Sequence, residues 1–130
     1  MPHVSTVVAR SWQQVYDYAA DPANLPHWAA GLSSAALVPG DDDWWAADSP
    51  MGTVGVRFCA RNGFGVLDHV VRLPDGTEVL NPMRVVPWDG DAEVVFTVRA
   101  RAGMTDADVA ADVEAVAADL ATLKRILEST

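Results

Sequence analysis

Cysteine is nearly absent from this chain. Cys59 stands alone, so no intrachain disulfide can staple the fold. Lysine is as scarce: Lys124 is the only one, and the net charge is −9. Nucleic acid binding needs clustered cations to displace counterions, and no such cluster is present. Attraction to an anionic membrane surface needs the same cations. No apolar run approaches the ~20 residues that span a bilayer, so no stable membrane insertion is expected. The first residues lack the basic and apolar regions of a signal peptide. A cytoplasmic, reducing location fits all of this. The three histidines, His3, His27 and His69, lack zinc spacing. The acidic triplet Asp41–Asp43 lacks the ligand spacing of a calcium loop and reads as a solvated hairpin tip. No phosphate-binding glycine loop occurs, since "NGFG" at 62–65 reads as a turn. Neither a metal nor a cofactor is expected.

Apolar residues make up half of the 130, enough for one domain spanning 1–130 to bury a core without staples. Residues 3–9 read as a strand. Ser11, with Gln14 three residues on, starts a short amphipathic helix to about Ala20. Asp21-Pro22 restarts a helix whose inner face carries Leu25 and Trp28. Six further strands are expected at 33–39, 43–49, 52–60, 65–73, 77–87 and 92–102. Thr105 and Asp108 then begin a final helix. Along it Val109, Val113, Val116, Leu120, Leu123 and Leu127 form one apolar stripe, on a helix roughly 34 Å long. A sheet of about seven antiparallel strands with one long helix against it is an α+β layer structure.

Hairpin turns set cross-strand pairing, and paired residues share a face. A two-residue turn at Asn62-Gly63 pairs Phe58 with Leu67 and Val56 with His69, and places Arg57 against Asp68. A three-residue turn at Pro74-Asp75-Gly76 pairs His69 with Asn81 and Arg72 with Glu78. A four-residue loop at 87–90 pairs Met83 with Val94 and Asn81 with Phe96, and sets Arg84 against Glu93 and Glu78 against Arg99. Together these turns predict one apolar face and one charged face. His69 and Asn81 are the only strongly polar side chains on the apolar face, and they lie opposite each other. A hydrogen bond between them would offset the cost of burial.

At this point the chain resembles the START-like, or SRPBCC, superfamily, and within it small bacterial proteins of the polyketide cyclase/dehydrase-like kind. The resemblance covers essentially the whole chain. It is carried by "VYDYAADPANLPHWAAGL" (15–32), "GFGVLDHVV" (63–71), "NPMRVVP" (81–87), "EVVFTV" (93–98) and "MTDADVAADVEAVAADLATLKRILE" (104–128). It implies the helix-grip fold, a curved antiparallel sheet wrapped around the C-terminal helix. Two short helices close one end, and a ligand cavity lies between sheet and helix. It also implies binding of hydrophobic small molecules such as lipids or polyketides, with enzymes among some members. No invariant catalytic residue comes with it.

The residues supply the candidate site. Ligand contacts are expected from His69, Asn81, Trp28, Trp45, Phe58, Met83, Phe96, Val116 and Leu120. Adjacent residues on a strand alternate, so either Trp44 or Trp45 faces inward. The tryptophans read either as core packing or as an aromatic cavity wall. His69 reads either as a core histidine or as a ligand-orienting group able to move a proton; it is the one catalytic candidate. Three function classes remain open: a binder of an apolar small molecule, a polyketide cyclase-like enzyme using His69 and Asn81, and a protein-interaction module with a filled core. The partner expected is an apolar ligand, bound by a monomer or homodimer.

Overall fold

The computed structural model describes residues 1–30, 32 and 35–130. Its elements run β1 (His3–Val8), α1 (Trp12–Ala19), α2 (Leu25–Trp28), β2 (Val38–Pro39), β3 (Trp45–Ser49), β4 (Gly52–Phe58), β5 (His69–Arg72), β6 (Glu78–Asn81), β7 (Met83–Trp88), β8 (Asp91–Thr97) and α3 (Asp106–Glu128). The described residues thus hold eight strands where seven were expected, because Pro82 divides the run at 77–87. Proline brings no N–H to a ladder. The next amide, Met83 N–H, donates to the Asp68 carboxylate at 2.9 Å instead of to a neighbouring strand. Of the strand expected at 33–39, only Val38–Pro39 is regular, and positions 33 and 34 lie outside the described residues.

The strands form two antiparallel sets, β1-β8-β7 and β2-β3-β4-β5-β6. Residues 65–67 join them. Val85 N–H donates to the Gly65 carbonyl and Leu67 N–H to the Met83 carbonyl, each at 2.8 Å. Gly65 is obligatory here. Its φ is +73°, and a Cβ would collide with the Val85 carbonyl.

The caps expected for the helices are formed. Ser11 Oγ accepts from Gln14 N–H. Asp21 accepts from Ala23 N–H, at the start of a single 3-10 turn that leads into α2. Thr105 and Asp108 exchange both hydrogen bonds of a capping box.

Register departs from expectation in two hairpins and agrees in one. His69 does face Asn81, and Arg72 faces Glu78. Phe58, however, pairs with His69, and Val56 with Val71, so Arg57 does not meet Asp68. The cause is the connection after β4. It is a ten-residue connection (59–68), not a two-residue turn, and the Asn62 side chain organises it. Its Oδ1 accepts from Phe64 and Val66 N–H, and its Nδ2 donates to the Ala60 and Val66 carbonyls. Likewise β7 and β8 turn on Asp89-Gly90, both at positive φ (48° and 85°), which is a two-residue hairpin. Met83 therefore pairs with Phe96 and Val85 with Val94, and Asn81 has no partner in β8. Both slips are of two residues. A slip of two preserves the faces.

The inner face is accordingly apolar: Val54, Val56, Leu67, Val71, Met83, Val85 and Val94 are all buried. Outside, Arg84 pairs with Asp68 at 2.8 Å and Arg72 with Glu78 at 3.1 Å. Arg57 and Arg72 instead flank Trp44, which lies on the outer face above Gly55. Trp45, opposite Val56, is thus the inward one of the pair.

Helix α3 does not pack evenly. Leu120, Leu123 and Leu127 are buried, but Val109, Val113 and Val116 are only half-buried. The C-terminal half closes on β1, where Lys124 donates to the Val7 carbonyl and Glu128 accepts from Ala9 N–H. The N-terminal half overhangs a gap. No helix among the described residues is long and apolar enough to cross a membrane.

Candidate functional site

The gap is a cavity of about 200 Å³ between α2, the first half of α3 and strands β5, β6 and β8. The short helix α2 supplies Leu25, Trp28 and Ala29; α3 supplies Asp112, Val116, Asp119 and Leu120. From the sheet come His69, Val71, Val79, Asn81, Phe96 and Val98. Met51, Arg99 and Arg101 are exposed residues of the same lining and mark its mouth. Arg99, expected opposite Glu78, is at this mouth because β8 ends at Thr97.

Of the nine expected contacts, His69, Asn81, Trp28, Phe96, Val116 and Leu120 line the cavity. Phe58 stands behind His69, with ring centroids 4.9 Å apart. Met83 is wholly buried in the core, and Trp45 lies toward the β2–β3 edge. Neither borders the cavity.

His69 is buried, with Phe96 edge-on at 5.8 Å. Its Nδ1 is 2.9 Å from the Leu67 carbonyl. The expected hydrogen bond to Asn81 is not formed: Nδ1 is taken by the Leu67 backbone carbonyl, and Nε2 has no partner among the described residues. Burial pushes the His69 pKa below the usual imidazole value, against smaller opposing effects of the Leu67 carbonyl and the Asp68 charge. The ring is therefore neutral at pH 7.

Two carboxylates on the wall were not anticipated. Asp119 is half-buried, and burial raises its pKa to about 6, partly offset by the Ala30 N–H. Asp112 lies two turns earlier on the same helix face. Positions 112, 116 and 119 follow the i, i+4, i+7 spacing, the signal that could have found them. Trp28 presents a further surprise: its indole Nε1 is occluded and has no hydrogen-bond partner. Among the described residues no group of three His, Cys, Asp or Glu could hold a metal ion.

No protein-family model matches the chain, and no curated protein matches it in sequence. Solved structures do match. A protein from Bacillus thuringiensis superposes with a TM-score of 0.75 at 14% identity, covering 97% of both chains. DynU16, a protein of the dynemicin biosynthetic locus, gives a TM-score of 0.73 at 17% identity, covering 97% of this chain and 46% of that one. Ara h 8.0201 gives 0.67 at 13% identity, covering 99% and 97%. This is the helix-grip fold. The architecture expected from the START-like, or SRPBCC, resemblance is therefore present: curved antiparallel strands, a long C-terminal helix and two short helices after β1. At these identities the likeness shows the fold alone.

Proposed function

We propose that this helix-grip protein binds a small, mainly apolar molecule between the sheet and α3. The observation that carries the reading is the uneven seating of the helix. The stripe from Val109 to Leu127 is continuous, yet only its second half is buried. A domain selected for packing alone would close such a gap, since unfilled space forfeits dispersion contacts. The cavity is smaller than the ~300–1,000 Å³ of drug-sized sites. It exceeds the ~150 Å³ that holds a benzene molecule. One ring, or a ring with a short substituent, suits it.

Thermal-shift screening of small ring compounds tests this. A ligand at 100 times its Kd adds about 2.7 kcal/mol of stability. The shift should disappear in Val116→Phe, which fills the gap from α3. Absence of any shift with every compound, together with unchanged stability of Val116→Phe, would sink the reading.

A polyketide cyclase-like activity has an observation of its own. His69 Nε2 makes no hydrogen bond to any described residue, so it is free to take a proton from a bound carbonyl compound. The biosynthetic locus of DynU16 lends this second reading some support. Turnover of a β-polyketone mimic that is lost in His69→Phe, with binding retained, would establish it.

A further inference from the structure

The cavity wall holds a carboxylate that no cation balances. Asp119 lines the cavity, and among the described residues no Lys, Arg or His lies within salt-bridge reach of it. Only the Ala30 N–H favours its charge, and burial opposes that charge. Asp119 is not part of a solvated helix flank. Positions 112, 116, 119 and 123 follow one another along one helix face, and Leu123 at the end of that row is wholly buried. Asp112, at the start of the row, also lines the cavity and also lacks a cation.

A second wall group asks for the same kind of partner. His69 is 5% exposed and lines the same cavity. The Leu67 carbonyl that meets Nδ1 can only accept, so Nδ1 carries the proton and Nε2 presents a lone pair. Asn81 offers both a donor and an acceptor and does not decide the matter. What the interior lacks is donors and positive charge. An ammonium group supplies both, with three donors and no acceptor.

We propose that the ligand is a small ring compound carrying a protonated amine, with the ring in the apolar part of the cavity and the ammonium on Asp119. This rests on the small-molecule reading and narrows it. The charged groups around Asp119 are few. Burial keeps His69 neutral, so no cation competes from β5. Arg99 and Arg101, after β8, are exposed at the mouth, where solvent screens them. Asp112 on α3 and the net charge of −9 draw a cation inward. An anionic ligand would meet Asp119 without an interior cation to hold it.

The test is an NMR titration with three probes of one size and shape: ethylbenzene, benzyl alcohol and benzylamine. At pH 7 benzylamine should bind roughly tenfold or more tighter than benzyl alcohol, as expected when a carboxylate gains a charge-assisted hydrogen bond. By reciprocity, saturating benzylamine should lower the Asp119 midpoint by about one unit or more, and ethylbenzene should not lower it. The midpoint is read from the carboxyl carbon resonance that is lost in Asp119→Asn. That variant should bind ethylbenzene as wild type does and show no preference for benzylamine. A benzylamine Kd equal to or weaker than that of benzyl alcohol, with the Asp119 midpoint unmoved, would overturn the proposal. Ethylbenzene binding would then leave the apolar site intact. A benzylamine preference that persists in Asp119→Asn would overturn it too, by placing the amine elsewhere. No binding of any probe up to its solubility would overturn both readings. The wild-type comparisons decide even if the variant fails to fold.

Discussion

His69 Nδ1 sits 2.9 Å from the carbonyl of Leu67, two residues earlier in the chain, although Asn81 is its register partner across the sheet. The bond sets the tautomer. It also ties the imidazole to the sheet, so the ring is positioned before any ligand arrives. An NMR titration of His69 should show the proton on Nδ1 and a midpoint below the ordinary imidazole value near 6.5. The sign for stability follows. Below pH ~6.5 the unfolded chain binds a proton that folded His69 resists, so this group costs stability as pH falls toward its folded pKa. A midpoint above 6.5 would contradict the burial assigned to the ring.

Asp119 works in the other direction. Its folded pKa of about 6 lies above the ordinary aspartate value of 3.8, so the native state holds the proton more tightly. Its penalty is absent below pH ~3.8, grows through pH 4–6 and is complete above pH 6. Asp119→Asn should therefore melt a few degrees higher than wild type at pH 7. The two should converge near pH 4. The size is modest because the carboxyl is only half-buried. Thermal melts at both pH values check it, and a variant less stable at pH 7 would contradict the assignment.

Leu120 is 1% exposed and seals the floor where α3 meets the sheet. Leu120→Ala should cost about 2–5 kcal/mol. Leu120→Asp should leave no cooperative unfolding transition, because an unpaired charge enters the core. Val109→Asp, on the half-buried part of the same stripe, should be much milder. Urea unfolding of the three variants would expose an error in the helix seating if their order were reversed.

Gly65 brings two backbones into contact at the junction of the strand sets. Gly65→Ala should destabilise by more than 1 kcal/mol through both the positive φ and the clash with the Val85 carbonyl. Gly63→Ala, with open space around it, should change the melting temperature little. Equal effects of the two would mean that the strand sets are not joined there.

Much of this was legible from side-chain alternation alone. A strand repeats every two residues, so Asp68 and His69 had to point opposite ways whatever the turns did. That is why two hairpins could be off by two residues and still leave His69 inside and Arg84 outside. Loop length was not legible, because it depends on the hydrogen bonds of Asn62 and the left-handed pair Asp89-Gly90. The acids at 112 and 119 were hidden among the many acids of the first half of α3, which the helix dipole favours for its own reasons. The occluded, unpaired indole N–H of Trp28 depends on what surrounds it in space, and no local pattern reports that. Cavity-lining residues such as Phe96 and Val116 were visible as inner-face positions; which inner positions border a gap and which meet packed neighbours, as Met83 does, is a tertiary fact.

The most direct test of a small-molecule site between sheet and α3 is a methyl NMR titration with a small ring compound such as ethylbenzene. The methyls of Val71, Val79, Val98, Val116 and Leu120 line the cavity and should shift together with one saturation curve. Those of Val7, Leu80 and Val86 are exposed large hydrophobics outside the cavity lining and should stay in place. Shifts confined to Val7, Leu80 and Val86, or none at all at saturating probe, would contradict the account.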